Sequence, residues 1–228
     1  MKNIIVVSAS LLTALATESA LAENSWDGPY AGMSVGYADG QLKDADSILN
    51  GDASYYGIPS NPKPSGTEFG LFAGYNHSLF NTDIIGGIEA AYDTKTFDDS
   101  TLASSGTFPR STKTSIGNRA SLIAKLGYAI NDSLMPYFNF GGVVAKTYFN
   151  VSPDGAIGYD FVPTYDKKTT WGTVIGAGVD YKFNSNFFLR ASYNQLKFDK
   201  TDYLDPWGSY PKQYFVLDEF KLGIGYKF

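Results

Sequence analysis

From about residue 30 to the C-terminus the chain carries a series of segments that alternate, residue by residue, between an apolar position and a small or polar one. At the end, Phe220, Leu222, Ile224, Tyr226 and Phe228 alternate with Lys221, Gly223, Gly225 and Lys227. In 173–183, Ile175, Ala177, Val179, Tyr181 and Phe183 alternate with Val174, Gly176, Gly178, Asp180 and Lys182. A period of two is the signature of a strand with two unlike faces, and no 3.6-residue stripe competes with it.

The same parity recurs along the chain. Met33, Val35 and Tyr37 oppose Ser34 and Gly36. Phe69, Leu71, Ala73 and Tyr75 oppose Glu68, Gly70 and Asn76. Ile88, Ala90 and Tyr92 oppose Glu89 and Asp93, and Leu122, Ala124, Leu126 and Tyr128 oppose Arg119, Ser121, Lys125 and Gly127. Phe138, Phe140 and Val144 oppose Asn139 and Gly141, with Lys146 on the apolar parity, where a membrane-rim position would let it snorkel. Phe187, Leu189, Ala191 and Tyr193 oppose Phe188, Arg190 and Ser192. These segments predict eight strands. Short links fall at 80–83, 131–133 and 184–186, and long ones at about 43–64, 98–111, 151–168 and 199–213. Alternating short and long links predict an antiparallel up-and-down β-barrel.

Composition agrees. The 228 residues include 17 Tyr, 16 Phe and 24 Gly, a balance that favours strands and tight turns. The absence of cysteine excludes a disulfide framework, zinc-thiolate sites and iron–sulfur clusters. A net charge of -5 argues against nucleic acid as a partner. No cofactor and no metal site are expected.

Residues 1–22 read as a signal peptide. Lys2 precedes an apolar run from Ile4 to Ala16, and Ala20-Leu21-Ala22 is a small-residue cleavage site. The run is shorter than the ~20 residues a spanning helix needs. Residues 23–228 are then one barrel domain, with both termini in the periplasm and no further periplasmic domain. The interrupted stretch 134–145 contains Pro136 and two glycines, which speaks against a helical membrane protein.

One apolar face fits a soluble barrel with an internal cavity as well as a barrel in lipid. Three features favour lipid outside. The polar face is rich in Gly, Ser and Asn. Its charges are of both signs, so they can pair within a crowded lumen: Glu68, Glu89, Asp93, Arg119, Lys125, Asp180, Arg190 and Lys221. Aromatics recur near strand ends at Tyr37, Tyr75, Tyr92, Tyr128, Tyr181, Tyr193, Tyr226 and Phe228, as interfacial girdles do. Eight strands leave an interior about filled by side chains, which opposes a wide pore.

Motifs at both ends of the chain and between them carry a family resemblance. Trp26-Asp27-Gly28-Pro29-Tyr30-Ala31-Gly32 resembles the opening of small alphaproteobacterial outer-membrane proteins, the opacity-type surface antigens related to the barrel of outer membrane protein A. Lys125-Leu126-Gly127-Tyr128, Leu134-Met135-Pro136-Tyr137 and 176–181 resemble their inner strands. Lys221, Gly223, Tyr226 and Phe228 are similar to the C-terminal signal read by the barrel-assembly machinery. The resemblance implies a monomeric cell outer membrane barrel in lipid and lipopolysaccharide. Its role would be structural and surface-interactive, without catalysis. A narrow porin-like channel, or a haem-binding or adhesive surface protein, is the alternative.

The lumen charges are expected to form a paired plug. His77, the only histidine, is expected to be an ordinary residue near a periplasmic turn, and Asp98-Asp99 to be solvated. Tyr55, Tyr56, Tyr159, Trp207 and Tyr210 in the long links, with Phe108, Phe161 and Tyr165, are candidate contacts to host or environmental ligands. Most of the apolar content is expected to face lipid, leaving little core.

Overall fold

The computed structural model describes residues 25–44, 65–94, 97–105, 108–153, 164–202 and 212–228. Ten strands follow in chain order: β1 (Gly28–Asp44), β2 (Ser65–Ser78), β3 (Ile84–Asp93), β4 (Phe97–Ser105), β5 (Phe108–Tyr128), β6 (Leu134–Pro153), β7 (Thr164–Lys182), β8 (Phe187–Phe198), β9 (Thr201–Asp202) and β10 (Lys212–Lys227). Eight of them form one closed antiparallel barrel in the order β1-β2-β3-β5-β6-β7-β8-β10, sealed by the pairing of β10 with β1. Closure leaves the eight barrel strands without a free edge, which lipid could not satisfy with hydrogen bonds.

The short links are tight for local reasons. Phe80 and Asn81 both take positive φ, 56° and 53°, in the turn from β2 to β3. The side-chain oxygen of Asn131 accepts from the backbone N–H of Ser133 and Leu134 at 2.8 Å each. Asn184 does the same for Asn186 and Phe187, at 3.0 and 2.7 Å. Such Asx geometry fixes a reversal within a few residues.

The long links are shorter than the sequence spacing suggests. β5, β6 and β7 run for 21, 20 and 19 residues, about twice what a membrane-crossing strand needs. The expected link at 98–111 is largely a hairpin, with β4 paired to β5 from Phe97↔Ile116 to Ser105↔Phe108. The expected link at 151–168 loses residues at both ends, since β6 continues to Pro153 and β7 begins at Thr164. Period-two reading stopped where the apolar face stopped. Above the lipid a strand can be polar on both faces and still keep its ladder.

Registry fixes the tilt. Following paired residues from Tyr30 through Gly74, Glu89, Ile123, Gly141, Val174, Leu196 and Leu217 returns to β1 at Gly40. The ring therefore closes with a stagger of ten residues, 40 less 30. Eight strands ~4.8 Å apart with a ~3.3 Å rise then tilt by about 40°.

Around the middle of the barrel the outward parity is predominantly apolar. Met33, Leu71, Ile88, Leu122, Phe138, Phe140, Ile175 and Leu222 are all exposed on that face. On β7 the belt runs from Tyr181 to Trp171, ten residue steps. At the tilt above this is about 25 Å, the height of a transmembrane barrel's apolar band.

Candidate functional site

The inward parity of the strands brings the predicted charges together, in two groups at different heights. The group nearer the short turns comprises Glu89 on β3, Lys125 on β5, Asp180 on β7 and Arg190 on β8. Arg190 donates from Nε and Nη2 to Asp180 at 2.8 and 2.9 Å and from Nη1 to Glu89 at 2.6 Å. Lys125 donates to Asp180 at 3.2 Å. Aromatic rings wrap these cations. The Lys125 ammonium is 4.0 Å from the Tyr137 ring centre, and Arg190 lies 4.3 Å from that of Phe72. The Tyr30 hydroxyl donates to Glu89 at 2.8 Å.

The group nearer the long loops joins Glu68, Asp93, Arg119, Glu219 and Lys221. Arg119 donates to both Glu68 and Glu219. Lys221 lies 3.1 Å from Glu68, 2.9 Å from Asp93 and 3.1 Å from Glu219. Each of these two cations thus meets several carboxylates, and all five residues are largely out of contact with the surroundings. A charge in such a place is tolerable only when partnered.

Every sequence-predicted lumen residue (Glu68, Glu89, Arg119, Lys125, Asp180, Arg190 and Lys221) is in one of these two networks. Glu219 joins them from one residue before the predicted final strand, which begins at Phe220. Its parity with Lys221, Gly223 and Gly225 was the available signal. Lys221 is also the polar position of the C-terminal motif, so its charge is used within the lumen. Tyr226 and Phe228 point outward, with ring centres 5.1 Å apart, and Tyr226 lies 5.0 Å from Phe187.

Between the networks lies a cavity of about 50 Å³, lined by members of both together with Ser34, Asn139 and Asn194. It has room for a few waters and no more. The expectation of little core needs correction. Toward the loop end, Ala38, Ile116, Val143, Val174, Leu196, Phe198, Phe215 and Leu217 pack together inside the barrel. The strands continue past the charged layers, and most of their buried inward residues there are apolar, with the Thr147 and Thr170 hydroxyls 3.1 Å apart among them. At the opposite mouth Trp26 packs with Ile85, Ala129 and Met135. Its indole N–H donates to Asn131 O at 3.1 Å, and the Lys182 ammonium sits 4.0 Å from its ring centre. Asp27 accepts from Ser78 N–H and hydroxyl at 2.6 and 2.8 Å. The opening motif is therefore a floor under the barrel.

Two glycines show how full the lumen is. A Cβ at Gly225 would collide with the Phe188 ring, and one at Gly70 with Asp93.

The chain matches the outer membrane protein beta-barrel domain family over residues 7–228. It belongs to that family. The 31 kDa outer-membrane immunogenic protein of Brucella melitensis is 27% identical over 208 residues, covering 90% of this chain and 84% of the relative. The 22 kDa outer membrane protein of Rhizobium leguminosarum is 31% identical over 123 residues, 45% of this chain and 56% of that protein. Among solved structures, Ail, the attachment invasion locus protein of Yersinia pestis, is 20% identical with a TM-score of 0.43, over 87% of this chain and 98% of that one.

The remaining candidates fall as follows in this outer-membrane barrel. His77 is at the turn end of β2, exposed, with its imidazole 3.8 Å from Asp27. Ser78 also meets Asp27, but consecutive strand residues point to opposite faces, so His77 and Ser78 do not form a nucleophile–base pair. Tyr55, Tyr56, Tyr159, Phe161, Trp207 and Tyr210 lie outside the described residues. Asp98, Asp99 and Phe108 fall in the β4–β5 hairpin, and Tyr165 is exposed on β7.

Proposed function

We propose that this protein is a non-catalytic, monomeric outer-membrane barrel that braces the envelope and presents its loop end to the surroundings. The observation that carries this reading is the filled lumen: an aromatic floor, two ion-pair layers and an apolar cluster above them. Such an interior suits a mechanical element better than a conduit. The signal peptide of residues 1–22 directs export, and cleavage leaves Glu23 first. The turn end and both termini face the periplasm. The C-terminal residues Tyr226 and Phe228 are read by the barrel-assembly machinery, and the long-link aromatics are the contact points outside.

Planar-bilayer recording tests the closed lumen. The purified barrel is expected to leave the bilayer silent, and a stable open level would overturn the reading. For the bracing role, a strain lacking the protein is expected to become sensitive to detergent and to recover with the wild-type chain. Unchanged sensitivity would count against it.

A further inference from the structure

Just above the apolar belt the outer face turns basic on the β6–β7 flank. On β6 and β7 the outward pair Val144↔Trp171 is followed by Lys146↔Thr169 and then by Tyr148↔Lys167. Lys146 and Lys167 are both exposed, and neither has a carboxylate at ion-pair distance among the described residues. Lys167 instead lies 5.3 Å from the Tyr148 ring centre. Further round, the same rim carries Asp39 on β1 and Asp218 on β10, with the exposed Lys197 on β8 between them and β7.

A cleft of about 310 Å³ opens beside Lys146. It lies where the β5–β6 register slips between Ile116 and Arg119, beside Gly117. A Cβ there would come within 3.0 Å of Tyr148 and of the Lys146 carbonyl. Its lining includes the polar residues Thr169, Lys146 and Asn118, the last of which donates its amide N–H to the Tyr92 hydroxyl at 2.7 Å. Directly below are Leu122, Phe140 and Trp171, all exposed to lipid. The ligand that fits is anionic at the top and hydrocarbon beneath. Cations at this depth gain from anionic headgroups.

We propose that the cleft beside Lys146 and Lys167 binds the phosphate-bearing headgroup of a lipid in the leaflet at the loop end. Its acyl chains lie down the belt over Phe140 and Trp171. The inference rests on the barrel's place in the membrane and is independent of whether the lumen conducts.

Native mass spectrometry of the folded full-length barrel, mixed with lipid A, with its dephosphorylated form or with phosphatidylcholine, tests this. Wild type is expected to retain lipid A and to hold the other two weakly. Lys146→Gln with Lys167→Gln should reduce lipid A retention about tenfold or more. Lys146→Arg with Lys167→Arg should keep it, and Lys197→Gln, at the rim on β8, should leave it unchanged. Heat-modifiable gel migration confirms that each variant is folded. Equal retention by the glutamine pair, equal retention of dephosphorylated lipid A, or the same loss in Lys197→Gln would overturn the proposal. Displacement of lipid A by millimolar inorganic phosphate would overturn it too, since the cleft would then be a free-anion site. Loss of detergent resistance in a deletion strain bears on the bracing role alone.

Discussion

Arg190 and Glu89 meet at 2.6 Å although 101 residues separate them in the chain. They sit on β8 and β3, which are not neighbours in the barrel, so the contact crosses the lumen. Arg190 also grips Asp180 on the adjoining β7 through two nitrogens. One guanidinium thereby ties together opposite walls of the cylinder. Arginine suits the position because its planar fork makes several fixed hydrogen bonds at once.

Removing that fork should be costly. Arg190→Met leaves Glu89 and Asp180 with Lys125 as their one cation among the described residues, in a buried site. Breaking a buried pair on one side costs about 3–5 kcal/mol. The urea midpoint of the folded barrel in detergent is expected to fall accordingly, and a midpoint within error of wild type would mean that the pair adds nothing. Arg190→Lys should recover only part of the loss, because one ammonium cannot reproduce the bidentate grip.

The loop-end network is asymmetric, with Glu68, Asp93 and Glu219 facing Arg119 and Lys221. Glu219→Gln should therefore be mild, since each cation retains a carboxylate. Arg119→Met should be severe, by several kcal/mol, as it strands like charges around one lysine. Equal losses in the two variants, read from gel migration against temperature, would contradict this ordering.

Trp26 closes the turn end. Trp26→Ala deletes an indole packed on Ile85 and Met135, with an expected cost of about 3–5 kcal/mol if the site does not collapse. The paired layers above remain, so the variant should stay electrically silent in a planar bilayer. Conductance appearing on this change alone would show that the floor is the principal barrier.

Gly225 tests how full the lumen is. Gly225→Val should slow or block folding into detergent micelles, because its side chain enters the space of the Phe188 ring. Adding Phe188→Ala should restore a measurable folded fraction. If Gly225→Val folds like wild type, the ring must move freely.

Phe228→Ser should lower the folded fraction recovered in outer-membrane preparations while leaving unaided folding in detergent within about 1 kcal/mol of wild type, as surface changes usually do. A matched loss in both settings would assign the residue to stability and not to assembly.

Much of this protein was legible in the chain itself. Alternation at Phe220–Phe228 or Thr173–Phe183 settles which face each side chain takes, because the strand period is two. That is enough to find eight strands, the apolar belt and the inward charges. It says nothing about position along a neighbouring strand. The ten-residue stagger decides that Glu89 meets Arg190, and that Glu68 and Lys221 share a layer with Glu219. Those pairs depend on ring closure, which no local pattern encodes.

Parity also fails where both faces become alike. Above the belt β5–β7 keep their ladders in sequence that read as loop. The apolar cluster of Phe198, Phe215 and Leu217, the girdle position of Trp171 and the cationic rim of Lys146 and Lys167 therefore emerge only in the folded barrel. The sequence by itself determined sidedness, since that is a property of one strand. The tertiary structure decided height, partner and depth, since these belong to eight strands tilted and closed together.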